Sequence, residues 1–107
     1  MASKKIPAKV KRAPLPRKSD YTRQFEKDWH KLSHSGMQDM RRVREVMLLL
    51  IENSGPLGEE WLDHELEGAW ADHRECHAKG DLMLIYLLRG DSVIFARAGT
   101  HSDLFGR

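Results

Sequence analysis

The run Leu82-Met83-Leu84-Ile85-Tyr86-Leu87-Leu88 has turn-forming residues on both sides, Lys79-Gly80 before it and Arg89-Gly90-Asp91 after it. A segment of strand length that is apolar on both faces must be buried on both, so Asp81 to Leu88 predicts the central strand of a small sheet. The segments on either side, Trp70 to Ala78 and Ser92 to Ala98, read as its antiparallel neighbours. The Arg-Gly-Asp triplet is then a hairpin turn.

Such a sheet needs a cover, and the first half of the chain supplies it. Tyr21, Phe25, Trp29 and Leu32 follow one another at spacings of four, four and three, which lines one stripe of a helix running from Thr22 to about Ser35-Gly36. Met40, Val43, Val46, Met47, Leu50 and Ile51 line a second helix, from about Met37 to Asn53, closed by Asn53-Ser54-Gly55-Pro56. Together they predict an antiparallel helical hairpin with one apolar side. The residues just before it, up to Tyr21, fit a first strand at the sheet edge.

A chain of 107 residues holds one domain with one core. The single cysteine, Cys76, excludes an internal disulfide and points to a reducing, cytoplasmic setting. No apolar run is long enough for a membrane span, and the basic N-terminus lacks the apolar stretch of a secretory signal. The net charge of +2 is unevenly spread: residues 1–18 carry +7 and no acid, which leaves −5 on the remainder. Residues 1–18, with three prolines and few large apolar groups, read as a flexible basic arm. It is either a solubilising tail or an electrostatic hook for RNA.

Six histidines are many for this length. His30 and His34 lie one helical turn apart on a solvated face. His73, Glu75 and His77 alternate with Arg74 and Cys76 along a strand, so Cys76 does not converge with the histidines and no metal site is expected. His64, His77, Asp81 and His101 are a different matter. Imidazoles near neutrality both accept and donate protons, so several around one phosphate suffice for acid–base chemistry without a metal or other cofactor. Arg97 suits phosphate oxygens, and Phe105 offers a flat face for a base. Arg74 is either a second phosphate ligand or the partner of a nearby carboxylate.

The run Asp63-His64-x-Leu66-x-Gly68-x-Trp70, then Arg74-Glu75-Cys76-His77 with Asp81 and Ile85-Tyr86, then Arg97 to Gly106, resembles the YafQ branch of the RelE/ParE toxin superfamily, the toxin halves of bacterial type II toxin–antitoxin modules. The resemblance covers roughly Tyr21 to Gly106 and gives residues 19–107 to the toxin domain. It implies an α+β fold, a two-helix hairpin packed on a mostly antiparallel four-stranded sheet. It further implies a ribosome-dependent endoribonuclease that cuts mRNA in the ribosomal A site, bound by a cognate antitoxin. Carried over by position, His64, His77, Asp81 and His101 match the family's acid–base groups, and Arg97 and Phe105 its substrate-positioning residues. The position after the aspartate, commonly aromatic in such toxins, is Leu82 here. ParE-like members, which poison DNA gyrase, lack these histidines; a non-catalytic RNA- or ribosome-binding protein acting through the basic arm is the other alternative.

Overall fold

The computed structural model describes residues 15–106. The element order is β1 (Lys18–Tyr21), α1 (Arg23–Ser35), α2 (Met40–Glu52), β2 (His64–Glu65), β3 (His73–Lys79), β4 (Leu82–Arg89), β5 (Ser92–Thr100) and α3 (His101–Phe105), with single 3-10 turns at Glu59–Trp61 and Gly68–Trp70. The sheet runs β1-β5-β4-β3-β2; β1 lies parallel to β5 and every other pair is antiparallel.

The expected hairpin and three-strand meander are present. The sheet has five strands rather than four, because His64–Glu65 pairs for two residues with Arg74 and Glu75 and forms an edge. Tyr21 ends β1, as expected, and Thr22 is the N-cap of α1, its hydroxyl accepting from the Phe25 amide. α2 begins at Met40, since Asp39 caps it. The first β3 residue is His73, because Trp70 is spent in a 3-10 turn. Residues 1–14 of the basic arm lie outside the described residues. Its last part is hydrogen bonded to the body: the Arg17 amide donates to Ile51 O, the Lys18 amide to Asp91 O, and Asn53 Nδ2 to Leu15 O.

One face of the sheet carries the main core. Phe25, Leu32, Val43, Val46, Leu50 and Trp61 pack there on Cys76, Leu84, Tyr86, Val93, Phe95 and Ala98. Leu82 is buried among them. The opposite face holds a smaller cluster, Met83, Ile85, Ala96 and Leu104, with Leu66, Trp70 and Phe105 against it. A bulge sets which β5 residue faces which way. Tyr86 stands opposite Phe95, but its neighbour Ile85 stands opposite Arg97, so Ala96 is an extra residue. Past it, Ala98 faces the helices and Arg97 the smaller cluster.

Candidate functional site

Register places His64, His77 and Arg97 in rows on the face away from the helical hairpin. His64 is opposite Glu75, Glu75 opposite Ile85, and Ile85 opposite Arg97, one cross-strand row over four strands. Directly paired residues share a face. The adjacent row is His77, Met83 and Gly99. Alternation along β3 therefore does what the sequence pattern requires: Glu75 and His77 face this side, Cys76 the core.

Glu75 lies between the two histidines. Its Oε1 is 3.2 Å from His64 Nε2 and 4.0 Å from His77 Nε2, and the imidazole centroids are 6.3 Å apart. The residue is only 5% exposed, and Oε2 has no hydrogen-bond partner among the described residues. His64 Nδ1 meets Leu62 O at 2.9 Å and His77 Nδ1 meets Gly80 O at 3.0 Å. A carbonyl only accepts, so both Nδ1 atoms carry the hydrogen and both Nε2 atoms turn to Glu75. Glu75 was not among the candidates drawn from the sequence; its alternation with His73 and His77 on one strand was the available signal.

His101 is the first residue of α3, whose N-cap Thr100 and Asp103 form a reciprocal capping box. The His101 amide donates to Asp81 Oδ1 at 3.2 Å. Asp81 is thus tied to the start of α3, while the carboxylate beside His64 and His77 is Glu75. One turn on, Phe105 lies 5.0 Å from the His101 ring and packs against the Met83–Ile85 cluster, which brings α3 to the same face. A hydrogen bond from the Thr100 amide holds the Asp103 carboxyl below its ordinary pKa.

Arg97 reaches the β5 edge that lies beyond the end of β1. Its Nε and Nη2 donate to the Asp28 carboxylate on α1 at 2.8 and 3.0 Å. That contact raises the arginine's pKa further. Arg74 is not brought to this face. It pairs with Tyr86, on the helix side, and its Nε and Nη2 bind Asp63 Oδ2 at 3.0 and 2.8 Å. The Tyr86 hydroxyl donates to the other Asp63 oxygen. Burial pushes the Tyr86 hydroxyl and the Cys76 thiol well above their usual ranges, so neither is a nucleophile. Of the remaining aromatic residues, Trp61 is core, with the Arg42 guanidinium 4.1 Å above its ring. Among the described residues, no three His, Cys, Asp or Glu side chains are grouped to hold a metal ion, and no helix is long and apolar enough to cross a membrane.

Residues 17–106 match the family described as bacterial toxin of type II toxin-antitoxin system, YafQ. The mRNA interferase toxin YafQ of Escherichia coli K12 is 39% identical over 92 residues, covering 86% of this chain and 99% of that protein. The crystal structure of YafQ from E. coli BL21(DE3) superimposes with a TM-score of 0.78 at 39% identity, over 84% of this chain and 99% of that one. The E. coli DinJ-YafQ toxin-antitoxin complex contains a chain with a TM-score of 0.77 at 39% identity, covering 86% of this chain and all of that one.

Proposed function

Because this chain belongs to the YafQ family of bacterial type II toxin–antitoxin toxins, we propose that it is an mRNA interferase that cuts ribosome-bound mRNA with the residues of the His64–Arg97 face. The observation that carries this reading is the cross-strand row His64, Glu75, Ile85, Arg97, with His77 beside it, Phe105 of α3 packed onto the same face and the exposed His101 ring against Phe105.

The reaction is attack of an RNA 2′-oxygen on the adjacent phosphorus. A base takes the 2′-hydroxyl proton, the P–O bond to the 5′-oxygen of the next nucleotide breaks, and an acid protonates that oxygen. The products are a 2′,3′-cyclic phosphate and a 5′-hydroxyl. Base, acid and a cation for the crowded phosphorane are all available from side chains, so the chemistry closes without a metal. His64 or His77 is the base, its Nε2 held toward Glu75. His101 is the acid, exposed at the start of α3. Arg97 stabilises charge on the phosphorane, and Phe105 stacks on a base.

Asp81 acts by fixing the first residue of α3. Arg74 supports the fold rather than the substrate, given its bonds to Asp63. The antitoxin complexes of the E. coli relatives support a cognate antitoxin for this chain. Its expected setting is the cytoplasm, where ribosomes are, and the basic arm is a contact for ribosomal RNA.

The deciding experiment measures cleavage of mRNA on purified ribosomes by His77→Ala and His101→Ala proteins. Each substitution is expected to slow cleavage by roughly 10²- to 10⁴-fold. Cleavage at the wild-type rate by both variants would remove the site.

A further inference from the structure

Asp28, in the middle of α1, is one of two buried carboxylates among the described residues, 7% exposed, and no step above uses it. All of its bonding capacity is filled. Oδ1 accepts from Gln24 Nε2 at 3.1 Å and Arg97 Nη2 at 3.0 Å; Oδ2 accepts from Arg97 Nε at 2.8 Å and the Ala98 amide at 3.0 Å. Part of this has a plain structural purpose. β1 stops opposite Phe95, so the Ala98 amide lies on an edge that no strand covers, and Asp28 satisfies it.

A neutral Asn or Ser would serve that amide equally well. What the carboxylate adds is a two-point grip on one edge of the guanidinium. A guanidinium is planar with five N–H donors, so fixing Nε and Nη2 fixes the direction of the three that remain. An unrestrained arginine at this register position would spread over many rotamers, and a clamp aligned before the substrate arrives avoids that loss at the moment of reaction. The Arg97 side chain keeps 22% of its surface exposed, so the unspent edge is not sealed off.

We propose that Asp28 is a positioning residue of the nuclease site: it grips Arg97 from behind and presents the remaining guanidinium edge to the scissile phosphate. This rests on the assignment of Arg97 given above. Asp28 touches no substrate and acts through Arg97 alone.

Asp28→Asn keeps the shape and one acceptor but loses the two-point grip. Asp28→Glu keeps the charge and moves it by one methylene. Both are compared with Arg97→Ala and with the Asp28→Asn/Arg97→Ala double variant on ribosome-bound mRNA, scoring only protein shown to be folded. Either single variant at Asp28 is expected to lower kcat about tenfold to a hundredfold, with KM within about threefold of wild type. The double variant is expected to be no slower than Arg97→Ala, because one interaction is being removed twice. Guanidinium ion added to Arg97→Ala is expected to restore part of the rate, and to fail in the double variant, which lacks the grip. Should Asp28→Asn not fold, Asp28→Glu and the rescue of Arg97→Ala decide. A slow Arg97→Ala beside Asp28 variants with wild-type kcat overturns this inference and leaves the site intact. A wild-type rate in Arg97→Ala overturns the role of Arg97 itself.

Discussion

Glu75 Oε1 lies 3.2 Å from His64 Nε2, and this contact is attractive only when a proton sits between the two atoms. Each Nδ1 hydrogen is already given to a backbone carbonyl, so the nitrogens left for proton exchange are the ones that face the buried carboxylate. Glu75→Gln keeps the shape and deletes the charge. Cleavage of ribosome-bound mRNA is expected to fall about a hundredfold. Thermal stability should hold or rise, because the substitution removes a buried carboxylate with one unbonded oxygen. A normal rate would show that Glu75 serves packing alone.

Asp63 collects Arg74 and Tyr86 on the helix side of the sheet, away from the histidines. Tyr86→Phe leaves one carboxylate oxygen short of a donor and is expected to cost about 1–3 kcal/mol in urea unfolding. Arg74→Gln should destabilise as well. In both proteins the cleavage rate per folded molecule is expected to match the wild type; a selective loss of activity in Arg74→Gln would return Arg74 to the site.

Asp103 closes the capping box of α3, and the Thr100 amide holds its carboxyl below the ordinary value. A carboxyl depressed in the folded state contributes stability that is complete above its unfolded pKa and fades as pH falls through the folded one. Asp103→Asn should therefore be less stable than wild type near neutrality, by about 1 kcal/mol for a lost cap. That gap should begin to narrow only as the pH drops below the usual aspartate value of about 3.9 and vanish once it is below the depressed folded one. Urea unfolding of both proteins at neutral and acid pH measures it; a gap that persists unchanged in acid would show that the charge is not responsible.

Truncation separates the arm from the fold. Removing residues 1–14 is expected to leave stability and the intrinsic cleavage step unchanged, while association with ribosomes becomes less steeply dependent on salt. Removing residues 1–18 also deletes the Arg17 and Lys18 bonds to Ile51 and Asp91 and the first residue of β1, and should lower Tm. Equal stability of the two truncations would show that those bonds contribute nothing.

The helical hairpin and the β3–β5 meander were legible because their apolar residues repeat with the periods of helix and strand. His64–Glu65 was not, since two residues carry no period. The placement of Arg97 was hidden by the bulge at Ala96: strict alternation from Val93 and Phe95 sends Arg97 beneath the helices, and one extra residue sends it to the histidine face. Asp28 had a signal of its own. It falls between Phe25 and Leu32 in the apolar stripe of α1, a charged residue at a position the pattern reserves for core. Leu82, where an aromatic was expected from the family, lies buried under the helical hairpin, so it packs the core and gives a base no surface to stack on.

The parallel pairing of β1 with β5 joins the first strand of the fold to its last. During synthesis the strand made first has to wait for the one made last, and Arg97, His101 and Phe105 all follow the onset of that pairing. A toxin proposed to cut ribosome-bound mRNA is thereby born disarmed: the face proposed to do the cutting does not exist until β5 and α3 have followed β1 out of the ribosome.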